Sequence, residues 1–193
     1  MAKQIVALQA ALEQMAEQFP GSFEGYTLRV VESHQSSKAD TSGTAKAVSA
    51  SLATLTGLCG AWADGRGHSP STTPSPTLRL TPRPRPPPGE SAVWSDDRIE
   101  RVRERDLQLA GGGTSHEGVS PVPEAAIDGH AFHTYALTSA DGNVQFQFRH
   151  NVAGRSTYAE GTIDAAVFLA KRVASADSQR IYDMVDVLKS GAM

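Results

Sequence analysis

The chain has 193 residues, a formal net charge of −3 and 39% hydrophobic residues, room for one sizeable domain with or without a disordered segment. That charge gives no case for general nucleic-acid or membrane-surface binding, and no apolar run approaches the ~20 residues of a bilayer span. Cys59 is the single cysteine, which excludes an intrachain disulfide and fits a reducing compartment.

Residues 1–18 place Ile5, Leu8, Leu12 and Met15 on one helical face, and Pro20-Gly21 stops the helix. Glu13, Glu17 and the lack of a cleavage pattern argue against a signal or transit peptide there. Residues 26–31, Tyr-Thr-Leu-Arg-Val-Val, read as a strand. A loop over 32–45 then leads into an Ala- and Leu-rich helix over 44–58.

From 59 to 91 the composition changes. Eight of the eleven prolines lie between Pro70 and Pro88, mixed with Ser, Thr and Arg, so the segment has little to bury and reads as a disordered insert. Within 98–105 only Ile99 and Val102 are apolar, and Arg101, Arg103 and Arg105 alternate with acidic residues as a solvated face. Gly111-Gly112-Gly113 is a plain glycine run, read as a flexible turn. Residues 129–137 and 143–150 read as strands joined by an Asp141-Gly142 hairpin turn, the second alternating apolar and polar. His130 and His133 are three apart and point to opposite faces of a strand, and no third ligand is spaced to join them with His150, so no metal site is expected. Ile163, Ala166, Val167 and Ala170 give the helix over 162–173 an apolar stripe. The fold class that results is α+β: a mixed β-sheet with helices packed on one face. Residues 1–58 and 92–193 form one domain around the 59–91 insert.

The chemistry concentrates in the 32–45 loop. Thr41-Ser42-Gly43-Thr44 sits where a helix begins, and there unpaired backbone N–H groups and a positive dipole end receive an anion, carboxylate or phosphate alike. A plain Ser/Thr N-cap is the other reading of the same residues. Lys38 adds an ammonium and His34 an imidazole able to give a proton near neutral pH, which points to general acid catalysis on an anionic substrate.

Glu32-Ser33-His34-Gln35, followed by Lys38, Asp40 and Ser42-Gly43-Thr44-Ala45, resembles the substrate-binding signature of the 4-hydroxy-tetrahydrodipicolinate reductase (dihydrodipicolinate reductase) family. The plant branch is the nearer pattern, and the runs over 151–173 and 181–188 are similar to it as well. The resemblance implies an NADPH- or NADH-dependent oxidoreductase of the diaminopimelate route to lysine, acting on a small dicarboxylate ring. His34 matches the proton donor and Lys38 the lysine that pairs with it. Ser42, Gly43 and Thr44 match the segment that holds a substrate carboxylate. Gln35 stands where bacterial members have a second, substrate-contacting histidine, and Arg155 aligns with an arginine close to the active site. A homotetramer and a chloroplast location are further implications.

Two departures qualify the match. The Pro-rich insert replaces a short connection in the family. Residues 1–18 resemble the helix after the family's interdomain hinge, and no strand–Gly-rich turn–helix unit is present. The expectation is therefore that this chain carries only the substrate-binding half, with the N-terminal dinucleotide-binding domain absent. The competing expectation is a catalytically inactive dicarboxylate-binding or oligomerisation fragment. A phosphate-binding domain finds no Walker-type spacing.

Overall fold

In a computed structural model the described residues are 2–58, 94–111 and 120–192. The Pro-rich insert over 59–91, with Cys59, and the Gly112-Gly113 part of the glycine run lie outside them. The element order is α1 (Lys3–Gln18), β1 (Thr27–His34), α2 (Gly43–Leu55), β2 (Ile99–Val102), α3 (Arg105–Ala110), β3 (His130–Thr138), β4 (Gln145–Ala153), α4 (Ser156–Ala174) and α5 (Met184–Lys189). The four strands lie in the order β2-β1-β3-β4, with β1 parallel to β2 and antiparallel to β3, and β3 antiparallel to β4. This is the mixed sheet of an α+β domain.

Strand periodicity decides what each face holds. Leu28, Val30, Glu32 and His34 of β1 share a face with Leu137, Tyr135 and His133 of β3, and with Phe148 and His150 of β4. The apolar half of that face packs under α1 and α2. Leu12 and Ala16 join Ala45, Val48, Leu52 and Leu55 over Val30, Ile99, Tyr135 and Leu137. On the opposite face Val31 and Val102 meet Leu107 of α3, and Phe132 meets Val122 and Ile127. Small side chains let α2 sit close to the sheet, since Ala45, Ser49 and Ala53 are all buried.

Three expectations change on contact with the structure. The strand expected to end at Val31 continues through His34, because Glu32 and Ser33 have backbone partners on both sides, β2 and β3. Long-range pairing overrides the weak strand preference of Glu, Ser and His. Gly111 is not a loose hinge: it caps α3 at φ 80°, and a Cβ there would meet Pro121 Cγ at 2.8 Å. The α4 stripe of Ile163, Ala166, Val167 and Ala170 faces outward, while Gly161 and Phe168 are the buried residues of that helix.

Leu52 is fully buried in the α2–sheet layer. Leu52→Ala is expected to lower unfolding stability by about 2–5 kcal/mol, the usual cost of such a cavity, read as a shifted urea midpoint with an unchanged m-value.

Candidate active site

The second half of the α2-facing surface is polar. Glu32 lies opposite His133 in the β1–β3 register, and His133 opposite His150 in the β3–β4 register. Together with His34 they form a line of ionisable groups at the sheet end nearest the start of α2. Burial makes each of them depend on a partner.

Glu32 is fully buried, and both its carboxylate oxygens are occupied. Ser42 N–H donates to Oε2 at 2.9 Å, and the Arg103 Nη2–H group donates to Oε1. Arg103 also donates to the Lys38 carbonyl at 2.9 Å and reaches the Glu32 and Asp40 carbonyls. Arg103 is thus not part of a solvated face, because the 38–40 loop folds over it and leaves its side chain 17% exposed. Gln108, also buried, donates from Nε2 to the carbonyls of His34 (2.6 Å) and Val102 (3.0 Å), tying the ends of β1 and β2 together.

The helix start expected to take a ligand already holds one internal anion, the Glu32 carboxylate on the Ser42 amide. Ser42 is the N-cap, its side chain makes no capping bond, and its carbonyl accepts from Lys46 N–H at 3.0 Å. The Gly43 and Thr44 amides belong to the first turn and have no intrahelical acceptor. Gly43 is exposed and Thr44 half-buried. Lys38, with 22% of its side chain exposed, pairs with Asp40 Oδ1 at 2.8 Å and holds that carboxyl below the usual carboxylate range. Gln35 is half-buried at the turn that Lys38 N–H closes onto its carbonyl.

His34 is 7% exposed. Its Nδ1 faces the His130 carbonyl at 3.1 Å, and its Nε2 faces His133 Nε2 at 3.0 Å and Glu32 Oε2 at 3.9 Å. Burial lowers its pKa from 6.5 to about 4; Glu32 pulls it up, while Arg103 and Lys38 push it down. Burial alone lowers His150 to about 4, and burial with the neighbouring His150 and His34 sets His133 well below its ordinary value. His130 lies on the other face, where its Nε2 meets Ser33 Oγ at 2.9 Å.

The structure therefore brings His34, Lys38 and the Ser42-Gly43-Thr44 turn into one place around Glu32. Arg155 is set apart: its Nη2 donates to the Asp128 carbonyl at 3.3 Å, and no hydrogen bond among the described residues links it to that group. Arg103, Gln108, His133 and His150 were not legible as site residues. Only the acidic–basic alternation around Arg103 and the strand histidines weighed as metal ligands gave any signal.

Glu32, His34 and His133 present ligand atoms within 4.8 Å of one another, a third partner that spacing along the chain did not offer. Their bonding is that of a hydrogen-bonded cluster. The Arg103 guanidinium holds one carboxylate oxygen and the Ser42 amide the other, so a cation would meet a fixed positive charge.

The fold and this corner define an α+β domain that gathers an imidazole, an ammonium and a helix start beside one buried ion pair. The family described as dihydrodipicolinate reductase, C-terminus, matches residues 4–188, and the chain belongs to it. The probable 4-hydroxy-tetrahydrodipicolinate reductase 2, chloroplastic, of Oryza sativa subsp. japonica is 45% identical over the whole chain. The 4-hydroxy-tetrahydrodipicolinate reductase 2, chloroplastic, of Arabidopsis thaliana is 42% identical over the same length. The chain spans 46% and 43% of these two relatives. A dipicolinate-bound dihydrodipicolinate reductase from Paenisporosarcina sp. TG-14 aligns over 82% of this chain and 43% of its own, at TM-score 0.38 and 16% identity, a likeness too loose to add to the assignment.

Two outcomes are expected. Arg103→Ala should destabilise the fold by about 3–5 kcal/mol, because it strands a buried carboxylate, and adding Glu32→Gln should recover part of the loss in urea denaturation. Stability should also fall with acid. The depressed imidazoles bind fewer protons folded than unfolded, so unfolding free energy is level above about pH 7 and drops as pH falls from 6.5 towards 4. His150→Gln should remove about one proton from that slope, measured by unfolding across pH 4–8.

Proposed function

We propose that this chain is the substrate-binding half of a 4-hydroxy-tetrahydrodipicolinate reductase, holding a cyclic dicarboxylate and supplying the proton for its reduction. The observation that carries the reading is the convergence of His34, Lys38 and the α2 start around the buried Glu32–Arg103 pair. Glu32 and Arg103 serve as the frame: they hold the 38–42 loop against the sheet so that the amides of Gly43 and Thr44 face outward. A ring carboxylate accepts from those amides and from the Ser42 and Thr44 hydroxyls, and the Lys38 ammonium exchanges Asp40 for the ligand. Gln35 lies at the mouth as an amide that hydrogen-bonds without titrating.

The family uses a nicotinamide carrier, which would supply hydride to the ring once the 4-hydroxyl has left as water together with a hydrogen from the adjoining ring carbon. The described residues of this chain are assigned the proton half of the reaction. His34 delivers that proton to the ring carbon where negative charge collects. Burial favours its neutral form before a ligand arrives. Two ligand carboxylates beside it reverse the balance set by burial, Arg103 and Lys38, so substrate binding charges the imidazole.

The reading extends to assembly and place. The outward α4 stripe, with Ile163 at 62% and Val167 at 48% exposure, and the edge strand β4 with Phe146 at 43%, support self-association of this domain. The chloroplast location of the plant relatives is the location proposed for the full protein, with NADPH or NADH as its reductant.

Calorimetry of the chain with pyridine-2,6-dicarboxylate tests the site: wild type should bind, and Lys38→Ala should weaken binding about tenfold or more, as expected for losing a charge-assisted contact. No heat from a folded wild type would sink the reading. Joined behind the N-terminal half of the Oryza sativa relative, the chain should reduce substrate, and His34→Ala should lower kcat by about 10²–10⁴-fold, the range of a general acid.

A further inference from the structure

At His34 the β1–β2 ladder has run out of rungs. Its last paired residues are Ser33 and Val102, β2 ends at Val102, and the chain turns into α3. The Gln108 carboxamide fills the gap. Its Nε2 donates to the His34 carbonyl at 2.6 Å and to the Val102 carbonyl at 3.0 Å, one N–H for each strand end. Carbonyl oxygens only accept, which fixes the nitrogen, and not Oε1, as the atom facing them. An amide does this without bringing a charge, and a carboxylate could not donate at all. The mount is rigid. Gln108 is 1% exposed, its backbone carbonyl accepts from Val122 N–H at 2.9 Å, and neighbouring Leu107 packs on Val31 and Val102.

The 35–42 loop is tied to this mount at its start. The His34 carbonyl belongs to the peptide that leads into Gln35, and the Gln35 carbonyl accepts from Lys38 N–H at 3.0 Å, closing a turn. Rotating the His34–Gln35 peptide therefore carries the turn, and Lys38 with it. Further along, Arg103 holds the Lys38 carbonyl and Glu32 the Ser42 N–H, so side chains secure the loop at 34, 38 and 42. Resting on Lys38 and the α2 start as the carboxylate site proposed above, we infer that Gln108 is a positioning residue for the ligand. By fixing the His34–Gln35 peptide it sets where Gln35 and the Lys38 ammonium meet a ring carboxylate. Gln108 itself touches no ligand, because it is buried with its N–H groups engaged on the two carbonyls. It is uncharged, so its contribution is geometry alone. An ammonium held off its carboxylate loses the charge-assisted hydrogen bond, and placement here decides affinity.

The test is made on the whole chain by calorimetry with pyridine-2,6-dicarboxylate. Gln108→Met keeps the length of the side chain but has no N–H, and should raise Kd about tenfold. In a Lys38→Ala background the same change should move Kd by less than about twofold, because the group being placed is gone. A merely structural role would cost the same in both backgrounds. Leu12→Ala, a buried change in α1, is the control for lost stability and should lower the urea midpoint with Kd unchanged. A second measurement needs no variant. Coupling is reciprocal, so saturating ligand should slow hydrogen exchange of the wild-type Gln108 side-chain NH2 group about fivefold or more, read by NMR. That measurement decides the matter if Gln108→Met does not fold. Wild-type affinity in Gln108→Met, an equal loss with and without Lys38, or an exchange rate that ligand leaves alone overturns the inference and leaves the site reading intact. A folded wild type that does not bind, or a Lys38→Ala chain that binds as tightly as wild type, overturns the site reading and this inference with it.

Discussion

A carboxylate sealed inside the sheet governs this molecule's functional corner. Glu32 has no exposure, so its charge survives only because Arg103 and the Ser42 amide take both oxygens. Those two bonds reach different parts of the chain. One fixes the first residue before α2, the other pulls the segment after β2 across the 38–40 loop. The loop's shape is thus a by-product of neutralising one buried charge. Lys38 and the first amides of α2 take their places from it.

The same burial decides the state of the histidines. Burial lowers the pKa of all three imidazoles on this face, and they are linked ring to ring, with His150 Nδ1 left without a hydrogen-bond partner among the described residues. Glu32, His34 and His133 present ligand atoms close to one another, yet the guanidinium at the cluster's edge already holds one Glu32 oxygen. Apolar packing of α1 and α2 over the other half of the face gives these groups a rigid floor.

Outside the site the fold leaves apolar side chains uncovered. The α4 stripe lies away from that helix's own buried residues, Gly161 and Phe168, and Phe146 at the start of β4 stays 43% exposed although its ring meets Phe23. A helix with its apolar residues outward supports a partner that covers them, and a second copy of this domain is the partner proposed. The chain spans under half the length of these plant relatives.

The amino-acid sequence determined the local structure wherever a short-range rule applied. The stripe of α1, the alternation in β4, the Asp141-Gly142 turn and the Ala-rich α2 all follow from periodicity and turn chemistry, and the Ser42-Gly43-Thr44 helix start with His34 and Lys38 beside it could be read from spacing. The family, too, was legible in those few residues. What only the tertiary structure decided was which buried charges meet. Arg103 lies 71 positions from Glu32, and His133 lies 99 from His34. No local pattern encodes those pairings, because strand register and a parallel crossover choose them, and desolvation then makes them obligatory.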